Sequence, residues 1–348
     1  MFSLGADSEK SSDLKKALYW KEYDQGRLQC NLCPRRCILA SGEKGFCRAR
    51  KNISGVLYTL TYGQPVALHV DPIEKKPLAH VYPGTKSFSI ATAGCNLRCK
   101  FCQNWEISQL DAEKIDVKPL SAQEIVNQAL DSGSKTIAFT YTEPTIFFEY
   151  MLDIAKEAKT KGIDCVMHSA GYINEEPLRE ISKYITAANI DLKGFKDKFY
   201  SDFCEGDVQT VLRTLKILKE EGVWIEITNL LIPGANDSQE DLKELCAWVK
   251  ENLGADTPIH FSRFYPQYKL TNLSPTPLKS LKRAEKIAKE TGLHFIYIGN
   301  VPLQVGEDTY CPYCHKLLVK RIGYRVLLNR ISNGRCSHCN KKIAGIWE

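Results

Sequence analysis

The chain has 348 residues, 43% of them hydrophobic, with 47 Lys and Arg against 41 Asp and Glu for a formal net charge of +6. That length can bury one large core and still leave small appended modules. No run approaches the roughly 18 consecutive apolar residues of a membrane helix, and the opening MFSLGADSEK lacks a basic-then-apolar export signal, so a cytoplasmic protein with no membrane partner is expected.

Eleven of the 14 cysteines fall into three tight groups: Cys30, Cys33, Cys37 and Cys47; Cys95, Cys99 and Cys102; and Cys311, Cys314, Cys336 and Cys339. Cys165, Cys204 and Cys246 stand alone. In a long chain without an export signal, such groups point to metal thiolates rather than disulfides. Charge is equally uneven. Residues 311 to 348 hold eight Lys or Arg against one acid, Glu348, a net of +7, whereas the rest carries 39 bases and 40 acids. The patch either solubilises a small metal module or meets nucleic acid or an acidic protein.

In chain order, residues 1 to 14 are polar enough to fray. Residues 1–85 read as a Cys-rich N-terminal metal-binding lobe, with turns at Pro34, Gly42, Gly45, Gly55 and Gly63 and a short strand over Gly55 to Tyr62. Over residues 86–305, β-branched runs alternate with amphipathic helices, the pattern of βα units around a parallel sheet. The strands are SFSIAT, TIAFT, IDCVMH, AANIDL, VWIEITNL, PIHFSR and FIYIG. Between them lie helices in SAQEIVNQALDSG, TIFFEYMLDIAKEAKTKG, VQTVLRTLKILKEEG, SQEDLKELCAWVKENLG and LKSLKRAEKIAKETG. Seven strands fall short of a closed eight-unit barrel, so the expected α/β fold is a partial (β/α)6-type TIM barrel with its chemistry at the strands' C-terminal ends. Residues 306–348, two CxxC knuckles around LLVKRIGYRVLL, read as a zinc-ribbon-like module.

The decisive stretch is Thr92 to Ser108, TAGCNLRCKFCQNWEIS, where a strand runs into Cys95-x3-Cys99-x2-Cys102. Three thiolates on one loop can ligate three irons of a cubane and leave the fourth open to the amine and carboxylate of an amino acid. A plain zinc or ferredoxin loop is the alternative. With the aromatic Phe101 just before the last cysteine, the stretch resembles the radical S-adenosylmethionine (SAM) superfamily. That resemblance implies a [4Fe-4S] cluster and SAM as cofactors, cleavage of SAM to methionine and a 5′-deoxyadenosyl radical, and hydrogen abstraction from a substrate. It also implies an electron donor such as ferredoxin or flavodoxin.

Other residues near strand ends fit a SAM pocket. Thr142, Glu143 and Pro144, in TYTEPT, match a segment that contacts the SAM amino group in related enzymes, although Glu and Pro also suit any first helical turn. Asp191 and Lys193, in NIDLKGF, resemble the DLK segment of the pyruvate formate-lyase activating enzymes, where the Asp helps hold a monovalent cation and the Lys reaches the SAM carboxylate. Lys193 as a solvated loop residue is the competing reading. His168 and Ser169 stand where those enzymes carry Asp-Thr; the lost carboxylate argues against a cation, while Ser169 can still touch SAM. A lone His168 is more often a hydrogen-bonded core residue. His260 resembles a histidine that contacts the SAM carboxylate or lines the substrate pocket, and Arg263 is a candidate carboxylate partner.

Cys311, Cys314, Cys336 and Cys339 match a closed structural zinc site. The set Cys30, Cys33, Cys37 and Cys47 suits either zinc or an auxiliary iron-sulfur cluster. Together, CNLCPRRC…GFCRAR, GCNLRCKFCQNWEIS, FTYTEPTIFFEY, FIYIGNVP and CPYC…CSHC resemble the AmmeMemoRadiSam-system radical SAM proteins, relatives of the pyruvate formate-lyase activating enzymes. This implies association with Memo-like and AMMECR-like proteins and leaves the substrate open. Activation of a glycyl radical enzyme, RNA modification through the basic tail, and a non-catalytic metal scaffold remain alternatives.

Overall fold

The computed structural model describes residues 14–302 and 306–348. Apart from Leu14, the stretch expected to fray lies outside the described residues, as does the expected module boundary at Val305. An eight-stranded sheet forms the centre, its strands neighbours in chain order: β1 (Ala67–Pro72), β2 (Lys86–Ala91), β3 (Thr136–Phe139), β4 (Asp164–Ser169), β5 (Ala187–Asp191), β6 (Trp224–Leu231), β7 (Ile259–Arg263) and β8 (Ile296–Gly299). β2 to β8 pair in parallel and β1 pairs antiparallel with β2. All seven expected strands form, one more than a six-unit barrel needs, and the sheet is open because β1 and β8 do not pair with each other.

The parallel strands read as apolar runs because helices cover one face and the barrel interior the other; all of β3 is buried. β1 escapes sequence reading for the opposite reason. Its residues ALHVDP are mostly half-buried or exposed and end on Pro72, which suits an edge strand. The sheet therefore takes in a segment read from sequence as part of the N-terminal lobe.

Helix starts follow capping chemistry. Ser121 and Glu124 form a capping box on Ala122–Asp131, Asp207 caps Val208–Glu220 and Ser238 caps Gln239–Asn252. Phe148–Thr160 and Leu278–Thr291 are also present as expected. Two eight-residue helices without a clear sequence signal, Glu175–Ser182 and Asp197–Cys204, complete the layer.

The N-terminal lobe has two three-stranded sheets, one holding Lys15–Lys16, Val56–Thr59 and Arg50–Ile53, the other Trp20–Glu22, Leu28–Cys30 and Ile38–Leu39. It is fastened to the barrel by Arg50, whose guanidinium pairs with Glu149 on helix Phe148–Thr160; both side chains are 1% exposed. The C-terminal module forms a three-stranded and a two-stranded sheet. It packs Leu318, Val319 and Ile343 on Phe295 and Tyr297 beside the open edge at β8. Tyr82 N–H donates to Ile346 O and Ile346 N–H to His80 O, which ties the module to the segment between β1 and β2.

Candidate iron-sulfur and cofactor site

A cavity of about 770 Å³ opens at the C-terminal ends of the parallel strands. It brings together Cys95, Cys99 and Cys102 with Phe101, Thr142, Ser169, Asp191, Lys193 and His260. The convergence follows from parallel topology, which delivers every strand-to-helix loop to the same rim.

The cysteine loop leaves β2 and is clamped from several directions. Asn96 Nδ2 donates to Tyr172 O at 2.7 Å, and the Arg98 and Lys100 amides donate to Cys204 O and Phe203 O at 2.9 and 2.8 Å. Gly94, at φ +99°, lets the loop pass against the N-terminal lobe: a Cβ there would sit 2.5 Å from Cys47 O. Phe101 packs near Phe199 with ring centroids 6.2 Å apart.

The sequence leaves Cys204, in FYSDFCEGD, open as reactive, ligating or inert. It is fully buried, and its thiol, more than any other influence, holds the Cys99 thiol below the usual range against the effect of burial. Burial pushes Cys95 well above that range, with Glu143 adding to the effect. The three thiols line one cavity on one buried loop and, among the described residues, are not drawn in to the separations of a single-ion site. That donor set fits a multi-iron cluster with an open position facing the cavity.

Asp191 and Lys193 form the charged wall. Lys193 Nζ lies 2.6 Å from Asp191 Oδ2, and His168 Nε2 lies 3.0 Å from Asp191 Oδ1. Burial would raise the Asp191 carboxyl, but Lys193 and His168 outweigh it and hold the group well below the carboxylate range. For Lys193, burial opposes the charge, yet Asp191 and then Cys99 keep the ammonium firmly protonated. Lys193 is thus a fixed cation beside the cluster cysteines, not a solvated loop residue. His168 lines the cavity and is anchored to Asp191.

Glu143 and Pro144 do not line the cavity. Glu143 is fully buried outside the cavity lining, with both oxygens occupied by its own fold: Oε1 accepts from Ser169 Oγ and Thr145 Oγ1 at 2.7 Å, and Oε2 from the Ala170 amide at 2.9 Å. It joins the turn after β3 to the end of β4 and caps Pro144–Phe147, so helix chemistry governs this pair. Thr142 does face the cavity, its hydroxyl donating to Thr92 O at 2.7 Å. Tyr141 beside it adopts φ +71°, a left-handed conformation costing roughly 1–2 kcal/mol for a residue with a Cβ. Its hydroxyl donates to Asp71 Oδ2 at 2.6 Å, and Asn104 Nδ2 donates to its carbonyl at 3.2 Å. Neither Asp71 nor Asn104 carried a sequence signal.

His260 lies deeper, stacked on Tyr297 at 4.9 Å, with Nε2 2.7 Å from Glu226 Oε2. Glu226 also accepts from the Ala79 and His80 amides at 2.9 and 2.7 Å. Arg263 does not line the cavity; its Nε donates to Thr276 O and Nη1 to Tyr265 OH.

In the C-terminal module, Cys311 and Cys339 sulfurs lie 3.6 Å apart and Cys314 and Cys336 3.8 Å apart. All four sit within 4.8 Å of one another, a four-thiolate metal site. Of the tail's basic residues, Arg321 is buried, with Nη2 on Ala79 O at 2.7 Å, so it adds little to an outward field. No helix of the described residues is long and apolar enough to cross a membrane.

An α/β fold with a parallel-rich sheet and a three-cysteine loop at its C-terminal rim defines a SAM-dependent iron-sulfur enzyme. The Radical SAM superfamily model matches residues 89–247. Uncharacterized protein MJ0808 of Methanocaldococcus jannaschii is 44% identical over 332 residues, covering 95% of this chain and 99% of that protein. The pyruvate formate-lyase-activating enzyme of Clostridium pasteurianum is 25% identical over 213 residues, 57% of this chain and 87% of that enzyme. Among solved structures, Streptococcus suis SuiB bound to precursor peptide SuiA superposes with a TM-score of 0.50 at 18% identity, over 66% of this chain and 52% of that one, a likeness of fold. The chain belongs to the radical SAM superfamily and is an enzyme of it.

Proposed function

We propose that this enzyme cleaves SAM reductively at a [4Fe-4S] cluster held by Cys95, Cys99 and Cys102 and abstracts hydrogen from a substrate bound in the same cavity. The observation that carries the proposal is the shared lining of one cavity by the three cysteines and a protonated Lys193 anchored to Asp191. When bound, the cluster supplies the electron that splits SAM into methionine and a 5′-deoxyadenosyl radical. The chain's own residues bind and orient. Lys193, its direction fixed by Asp191, would offer a point charge to the SAM carboxylate, and Ser169 and Thr142, which line the same cavity, would help hold the bound molecule. Phe101, Leu97 and Ala170 exclude water from the reacting face.

In the C-terminal module, zinc best suits the four thiolates, whose closed shell leaves no position for a substrate. As partners, the resemblance to the AmmeMemoRadiSam-system proteins favours Memo-like and AMMECR-like proteins, with ferredoxin or flavodoxin as electron donor in the cytoplasm. Activation of a glycyl radical enzyme is the second reading, favoured by the likeness to pyruvate formate-lyase-activating enzymes. RNA modification has only the basic tail in its favour. Anaerobically reconstituted protein under dithionite should form 5′-deoxyadenosine, and a Cys99→Ala variant should form none. A fully iron-loaded wild type that yields no product would overturn the proposal.

A further inference from the structure

We infer that Cys30, Cys33, Cys37 and Cys47 hold a second four-iron cluster rather than zinc. Spacing carries the inference. Ligands of one tetrahedral ion converge: a metal–sulfur bond of about 2.3 Å sets sulfurs about 3.8 Å apart. The C-terminal module shows those separations, 3.6 and 3.8 Å. Among the described residues, it is the one group in which three or more candidate ligand atoms lie within 4.8 Å of one another. No three of the N-terminal sulfurs are that close, and neither are those of Cys95, Cys99 and Cys102, which belong to the superfamily's cluster loop. Thiolates that bind separate irons at the corners of a cubane must stand apart. The chain thus contains its own standards for both geometries, and the N-terminal set follows the cluster standard.

Space and surroundings agree. The four cysteines border one small, largely enclosed void, closed by Leu32 and Ile146, where converging thiolates would leave none. Donors point at the sulfurs, as the His338 amide does at Cys336 in the C-terminal site: the Phe46 amide at 3.4 Å from Cys37 Sγ, and Nη1 of the buried Arg50 at 3.4 Å from Cys30 Sγ. The Arg35 and Ala49 amides serve Cys33 and Cys47.

Position suggests the use, and this part rests on the SAM-cleaving reading above. Cys47 O meets Gly94, the residue before Cys95, and Arg35 and Arg98 both stack on the Phe46 ring at 3.9 and 4.0 Å. A cluster here stands one backbone contact from the loop that holds the first. It can take one electron from a low-potential ferredoxin or flavodoxin and pass it to the cavity cluster, with no bond made or broken.

Metal and inorganic sulfide are measured on the full chain purified anaerobically from iron-supplemented cells. About eight irons and eight sulfides per chain are expected in the wild type. A Cys95→Ala, Cys99→Ala, Cys102→Ala variant should keep about four of each, and Cys33→Ser with Cys37→Ser should lose about four of each while leaving the ribbon metal in place. About four sulfides in the wild type, with an added zinc that disappears in the Cys33→Ser, Cys37→Ser protein, would overturn the inference even if either variant folds poorly. Neither count depends on SAM cleavage, so an inactive protein with eight sulfides would sink the functional reading alone. Under dithionite, the wild-type electron paramagnetic resonance spectrum should be broader than the sum of the two variants; a plain sum would refute the relay.

Discussion

Replacing Gly94 with alanine tests how the cysteine loop is held. The backbone there has φ +99°, and an added Cβ would lie 2.5 Å from Cys47 O, a main-chain atom that cannot rotate aside. The left-handed conformation costs roughly 1–2 kcal/mol for alanine, and overpacking against fixed structure adds about 1–3 kcal/mol. The loop also cannot retreat freely, because Gly94 N–H donates to Ile107 O at 3.0 Å. Gly94→Ala should therefore lose about 2–5 kcal/mol of stability. Relief by separation of the lobe from the loop should also lower iron occupancy. Guanidinium unfolding under argon, followed by near-UV circular dichroism and paired with iron analysis, reads both. A change below about 0.5 kcal/mol with full iron content would show that the contact does not constrain the loop.

Lys193→Met should weaken SAM binding by about 10–100-fold without unfolding the chain, read by equilibrium dialysis with labelled SAM; unchanged affinity would remove Lys193 from the pocket. His80 is buried between Ala344 O and Tyr297 OH, each at 2.7 Å, and burial pushes its pKa down to about 4. The neutral form is favoured in the native state, so this stability is complete above the unfolded pKa near 6.5 and is lost as pH falls through about 4, up to about 3 kcal/mol. His80→Asn should flatten the stability profile across that window; an unchanged slope would assign the dependence elsewhere. Chelation of metal from the C-terminal four-cysteine site should release Trp347 from its place beside His80, where the rings lie 4.9 Å apart, and shift its fluorescence to the red. No shift after complete metal loss would show that the module folds without it.

The cluster loop was legible because its chemistry is local: three cysteines and an aromatic within eight residues. Asp191 and Lys193 were legible by resemblance, two residues apart at a strand end. For Glu143 the sequence left a SAM contact and helix entry both open; its carboxylate accepts from Ser169 and Ala170, 26 and 27 positions away, and nothing nearby in sequence announces those partners. The role of Cys204 stayed open for a similar reason. The residue reaches Cys99 through an eight-residue helix too short for a periodic signal, and the meeting exists only once β2 and β5 share a rim. β1 was lost because an edge strand need not be apolar.

The Arg50–Glu149 pair has a bearing on rates. Swinging the N-terminal lobe away from helix Phe148–Thr160 would break a charge-assisted pair whose side chains are each 1% exposed, together with the packing around it. The pair therefore ties the lobe to the barrel, and with it the N-terminal cysteines to the loop that carries Cys95. Were both cysteine sets loaded with clusters, an electron would cross between them without waiting for a hinge.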